Sequence, residues 1–404
     1  MNGVCLRIVT KAVLMLLFIL MLLSLGGCWD RQELNDLAIV VGAGIDQKDN
    51  KTIQLSVQMI VPGAVAGGQQ SSGGRGGGVK EKTTFVQTSY GVTVSDAMTK
   101  LQEKVSRRIF WGHNRVIIIG EKLAKSGIRS QLDFFSRFPR PRLRAFVFVS
   151  KEKPEEVLAI LPVMERSMAE ELRELADFKI GISVTVKELL EMLSSEAEAA
   201  ALPWIEIAPI SPGQQEPTDA RVNGTAVFKK GKMVGRIDDQ ITRGLLMVRD
   251  EIERSTVTIT PKEANGFISF QIIDSSIKLI PEIENGQWKM RIKLNMEDDV
   301  VHNGTNLDMM SPTIIKRLQK ELNEDVKNRV IEALGRVQKE MKTDIFGFAD
   351  AFHRKYPKEW AQAKQRWDEI FPTVQVTVDS KVYIRRPGTS SIPQGLPEKE
   401  VKKK

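Results

Sequence analysis

Hydrophobic and polar positions change period several times along the chain. From Ala12 to Leu23 the residues form an unbroken apolar block behind Arg7 and Lys11. Past it, Ala38 to Ile45 is almost wholly apolar and reads as a buried strand. Lys51 to Val61 alternates, with Ile53, Leu55, Val57 and Met59 against Thr52, Gln54, Ser56 and Gln58, as a half-exposed strand does. Glycine, serine and glutamine dominate residues 62–82, which predicts a flexible loop before a strand over 83–89. Ser95 caps a helix reaching about Arg107, Val116 to Ile119 is a short strand, and Gly127 closes a helix over 121–126. A helix over 128–138 shows Leu132, Phe135 and Phe138 on one face. A strand over 146–150 follows, then helices around 154–161, 164–178 and 184–195.

Prolines crowd 203–217 and predict a break. Residues 221–229 and 232–236 then read as a hairpin around Lys230-Gly231, with a helix near 240–248. Strands are predicted at 255–260, 266–273, 276–280 and 288–295. Ser311 and Pro312 open a long helix running to about Lys342, with Leu318, Leu322, Val326, Val330, Ile331 and Leu334 as its stripe. Two aromatic helices and a strand over 373–384 complete the pattern. The fold class is α+β and multi-domain, with mixed sheets, flanking helices and one long helix in the C-terminal half. The expected organisation is a signal peptide (1–27), an N-terminal α+β domain (28–200), a linker (201–219), a C-terminal α+β domain (220–386) that divides further or not, and a disordered tail (387–404).

The first apolar block is short for a bilayer span, which needs roughly 20 residues. A basic start, a short apolar core and small residues at its end read as a signal peptide. The block ends in Leu25-Gly26-Gly27-Cys28, the pattern of a bacterial lipoprotein, in which a diacylglyceryl group alkylates the cysteine before cleavage. An uncleaved anchor and an ordinary cleaved signal are the alternatives. Gly26 and Gly27 end the block early against the first, and the second leaves the cysteine at the cut by chance. The chain has two cysteines, Cys5 and Cys28. Cys5 leaves with the signal peptide and lipid consumes Cys28, which excludes a disulfide in the mature chain. The net charge of +8 is mild over 404 residues and gives no nucleic-acid signature.

Catalytic candidates are few. His113, His302 and His353 have no paired spacing, and no nucleophile elbow, phosphate loop or zinc motif occurs. Glu297, Asp298 and Asp299 with His302 imitate a metal site but read better as a solvated strand end. His113 reads as a turn residue before a base. Arg137, Arg140, Arg142 and Arg144 surround Pro139 and Pro141 in the densest basic stretch, suited to ordinary ion pairs or to contact with lipid phosphates or a partner. Phe346, Phe348, Phe352, Tyr356, Trp360, Trp367 and Phe371 fit core packing better than a ligand cage.

Several segments together resemble one family. C-W-D-R-Q-E-L-N-D-L-A-I-V-V-G-A-G-I-D (28–46), W-G-H-N-R-V-I-I-I-G-E (111–121) and L-D-F-F-S-R-F-P-R-P-R (132–142) are similar to the C subunits of spore germinant receptors, the Ger(x)C lipoproteins. So are G-T-A-V-F-K-K-G-K-M-V-G (224–235), T-D-I-F-G-F (343–348) and H-R-K-Y-P-K-E-W (353–360). Ile241 and Ala349 depart from the pattern, where a glutamate and a glycine are usual. The resemblance implies several α+β domains, no cofactor and no known catalytic activity. It implies N-palmitoyl and S-diacylglycerol modification of Cys28 and residence on the outer face of the spore inner membrane. The implied partners are two membrane subunits, A and B, with no nucleic acid and no known small-molecule substrate. The function expected is assembly and signalling of the nutrient-triggered germination complex. A membrane-tethered solute-binding protein that captures the germinant is the alternative, and a cell-wall enzyme comes third.

Overall fold

A computed structural model describes residues 11–18, 21, 36–60, 84–138, 142–253, 255–388, 396–397 and 400–402. Within the apolar block, residues 11–18 are helical and exposed, and no described helix is long and apolar enough to cross a membrane. Cys28 and the glycine-rich stretch lie outside the described residues, as does Arg140.

Among the described residues, thirteen strands form two sheets. The first has nine: β1 (Leu37–Asp49), β2 (Thr52–Ile60), β3 (Thr84–Gly91), β4 (Arg108–Phe110), β5 (Val116–Gly120), β6 (Phe146–Ser150), β7 (Ala199–Ile207), β8 (Ala220–Lys229) and β9 (Lys232–Ile237). The order is β3-β2-β1-β5-β6-β7-β8-β9, with β4 beside the start of β1. Strands β1, β5, β6 and β7 run parallel, while hairpins close both ends. Every residue of β5 is buried, as a parallel strand covered on both faces requires.

One face carries α1 (Val94–Lys104), α2 (Glu121–Ser126), α3 (Arg129–Arg137), α6 (Val186–Leu193) and α7 (Asp239–Arg249). The other carries α4 (Pro154–Leu158) and α5 (Met168–Asp177), packed on Val41, Val116, Ile118 and Phe148. Glycines set that second contact. A Cβ on Gly42 would sit 2.7 Å from the Ala169 methyl, and one on Gly44 would strike Pro154. Side chains at either position would drive α4 and α5 off β1.

The second sheet runs β10 (Thr256–Ile259), β11 (Ile268–Glu284), β12 (Gln287–Asn303) and β13 (Gln375–Arg386). Its inner face buries Met290, Ile292, Leu294 and Met296, within the same core cluster as α8 (Pro312–Leu334), which continues as a π-helical turn to Glu340. Leu318, Leu322, Val326, Val330 and Leu334 are buried there as the stripe predicts, but Ile331 is exposed.

Other sequence expectations change as well, among them the cap of α1, which is Thr93 and not Ser95. The proline-rich break opens as β7, not as a linker: residues 199–207 pair with β6 and β8, so the first sheet continues across it. Pro203 is tolerated because the ladder shifts register between Pro203 and Ile205. The strands predicted at 266–273 and 276–280 are one strand, carried through a register shift between Ile272 and Asp274. Asn285 and Gly286 close its hairpin with positive φ at both positions, the two-residue turn that Asn-Gly favours. The tail, expected to be disordered, is held at its end. Val401 is buried, and Lys402 exchanges backbone hydrogen bonds with Asn306 and Asp308, so an apolar contact and a short ladder fix it.

Candidate functional surface at the sheet edge

The polar groups buried in the fold mostly have structural partners. Asp46 accepts from the Leu123 amide and so holds the start of α2 against the end of β1. Asp344 accepts from the amides of Phe346, Gly347, Phe348 and Ala349 and from the Trp367 indole. Burial pushes its carboxyl up to about 6, against the lowering effect of those donors. It fixes the turn into α9 (Phe348–Lys355), whose Phe352 packs with Trp288 and Trp367, while Trp288 in turn meets Trp360 and Trp367. The aromatic set is therefore core packing. Glu206 joins β7 to β8 and β9 by accepting from Trp204, Asn223, Arg221 and Arg236. Burial raises its pKa, but the bonds from Asn223, Trp204 and Arg236 win and hold it at about 2.

The acidic group of β12 is split by the alternation of the strand. Glu297 faces outward to Arg385, while Asp298 turns inward and is 0% exposed. Among the described residues no cluster of three or more His, Cys, Asp or Glu has metal-binding spacing. His353 pairs with Glu196 and stacks on Trp360.

The predicted basic stretch divides as well. Arg137 ends α3 paired with Asp133 one turn back, so its charge is matched within its own helix. Arg142 lies elsewhere, within electrostatic reach of His113, as is Arg115. Burial lowers the His113 pKa, and repulsion from Arg115 and Arg142 adds to it. Arg144 is exposed in the same loop.

This loop stands where parallel strands begin. Leu37 opens β1, with Arg108 opposite it and Phe110 opposite Ile39. The Arg115 amide donates to the Val41 carbonyl, and the Phe146 amide to the Arg115 carbonyl, which joins the starts of β5 and β6 to β1. Strand β2 ends and β3 begins at this edge too, since Ile60 lies opposite both Ile39 and Thr84. Residue-by-residue reading missed Arg108, Phe110 and Arg115 here. Strand polarity was the only signal that could have found them, because the position of Arg115 follows from where β5 starts.

Fold and surface thus define an α+β protein whose buried polar groups mostly brace turns and strands, and whose exposed arginines include a group at the edge where the parallel strands begin. The description "Spore germination protein N-terminal domain" matches residues 30–207, and "Spore germination B3/GerAC like, C-terminal" matches residues 223–388. Spore germination protein KC of Bacillus subtilis (strain 168) is 29% identical, over 95% of this chain and 98% of its own. Spore germination protein B3 of the same organism is 25% identical, over 91% and 96%. The crystal structure of the GerBC protein shares the fold, with a TM-score of 0.56 and 20% identity over 85% of this chain and 96% of that one. The chain belongs to the B3/GerAC-like family of spore germination proteins.

Proposed function

We propose that this chain is the lipid-anchored C subunit of a spore germinant receptor, held through Cys28 on the outer face of the spore inner membrane. In that role it assembles with the A and B membrane subunits and carries the germination signal through surface contacts, without catalysing a reaction. The observation that carries the reading is the match of both family regions, in order, across nearly the whole chain behind Leu25-Gly26-Gly27-Cys28. Lipidation supplies the physical attachment. Two or more acyl chains, at about 0.8 kcal/mol per buried CH₂, hold a protein stably where one does not.

The mass of the N-terminal peptide, taken from protein in spore membranes, tests the anchor. A diacylglyceryl-modified Cys28 is expected, and an unmodified chain beginning at Met1 would end this reading of the N-terminus. Assembly is tested by co-purifying the A and B subunits. Their recovery with the wild-type chain is expected, and normal germination of spores lacking the chain, when its cognate germinant is supplied, would refute a receptor role.

A further inference from the structure

The edge where the parallel strands begin carries an electrostatic imbalance that folding does not explain. Arg108, Arg115, Arg142 and Arg144 are all exposed there, and none has a carboxylate within 4.0 Å among the described residues. Many arginines elsewhere are matched, among them Arg129 with Glu198, Arg173 with Asp177, Arg243 with Asp239 and Arg329 with Asp325, and the exposed Arg166, Arg354 and Arg386, which are not, lie on other elements. Two large apolar side chains accompany the unmatched four. Phe110 is 42% exposed and Leu143 is 44% exposed. The Phe110 ring lies across Gly112, where a Cβ would meet it at 2.7 Å, so glycine lets the ring settle against the backbone.

Arginine heads around partly exposed aromatic and aliphatic groups match the boundary of an anionic bilayer, where phosphates meet acyl chains. We infer that this edge rests on an anionic lipid surface. The four arginines meet lipid phosphates there, and Phe110 and Leu143 enter the headgroup layer. The inference rests on the lipid anchor proposed above. Eight residues lie between Cys28 and Leu37, nine steps with a reach of about 30 Å when fully extended, so an anchored chain keeps this edge near the bilayer. An acidic protein surface offers the same charge, but it lacks that tether.

The test uses the lipidated full-length chain in vesicles of about 30% phosphatidylglycerol in phosphatidylcholine. With Cys28 capped by lipid, Leu143→Cys takes a polarity-sensitive dye, and Lys278→Cys on the exposed face of β11 serves as reference. Emission from position 143 is expected to shift to the blue relative to pure phosphatidylcholine vesicles, with the reference unchanged. Arg115→Glu with Arg142→Glu should abolish the shift without unfolding the chain, because neither side chain has a carboxylate partner among the described residues. Water-like emission from position 143 on a chain that floats with the vesicles overturns the docking and leaves the anchor standing. A chain that does not float overturns the anchor, and the unlipidated Cys28→Ala protein then decides the docking alone. It should sediment with the anionic vesicles at low salt, at least about 30-fold more weakly in the double reversal, and failure to sediment overturns the inference. A blue shift seen only when other membrane subunits share the vesicle assigns the edge to protein and overturns it too.

Discussion

Asp298 should make the protein less stable as pH rises, opposite to the usual effect of a paired acid. Its carboxyl faces inward from β12 between Met296 and Val300, and neither oxygen has a hydrogen-bond partner among the described residues. Burial, with the nearby charge of Asp299, raises its pKa from 3.8 to about 7. Between those two values the folded state holds a proton that the unfolded state has released. Stability from this group is therefore full below the unfolded pKa and is lost as pH rises through the folded one. At about 1.36 kcal/mol per unit over roughly three units, the loss is about 4 kcal/mol in all, of which about 2.5 kcal/mol falls between about pH 5 and pH 8.

Urea unfolding of the wild type and Asp298→Asn across that range isolates the effect. The subtraction removes Glu171, which burial also raises to about 7, and Asp344. The wild type should lose about 2.5 kcal/mol relative to the variant on going from about pH 5 to pH 8. At the lower pH the variant gains little, because its amide is buried without partners. A difference that stays flat with pH would show that Asp298 titrates near its ordinary value, through water or a partner that reaches it, and would refute the argument.

Asp344→Ala strips five donors of their acceptor and should cost about 4 kcal/mol, read from urea midpoints, with near-ultraviolet circular dichroism reporting the surrounding tryptophans. Glu206 has a depressed pKa, so its contribution is present above about pH 4.5 and is lost as pH falls toward 2. Glu206→Gln should flatten that acid limb, and an unchanged limb would remove Glu206 as its source. Gly44→Val should destabilise by about 3 kcal/mol through overpacking against Pro154, and thermal melts within about a degree of wild type would contradict that contact. After a high-salt wash that screens surface charge, Cys28→Ala should leave the membrane fraction in cells lacking the proposed partner subunits. Continued fractionation with membranes after that wash would show that lipid is not the anchor.

Elements with one clear period were legible in the sequence. The apolar runs at 38–45, 116–119 and 146–150 became β1, β5 and β6, and the long helix kept its stripe. Strand β7 escaped because Ala199 to Leu202 has weak strand propensity and Pro203 signals a stop. Its place in the sheet rests on long-range pairing, with Trp204 and Ile205 opposite Val149 and Ser150 of β6, which local propensity does not register. The β11 strand was cut in two because its register shift reverses the alternation near Asp274. The arginine cluster failed for another reason. Spacing along the chain does not say which carboxylates fold nearby, and Asp133 neutralises Arg137 while no carboxylate among the described residues pairs with Arg142.

Three segments that carry the family resemblance are far apart in sequence yet converge on one edge. The 28–46 segment supplies β1, 111–121 supplies the turn into β5, and 132–142 leads to the start of β6. Within them, two kinds of residue have different physical reasons to be there. Gly42, Gly44 and Asp46 are required by the fold, since they admit α4 and α5 and hold the start of α2. Arg115 and Arg142 have no carboxylate partner among the described residues, so the described fold does not call for guanidinium at either place. Substitution should therefore separate two outcomes. Changes at the glycines should lower stability wherever the protein is measured, whereas changes at the arginines should leave it stable in solution and alter only how it meets another surface.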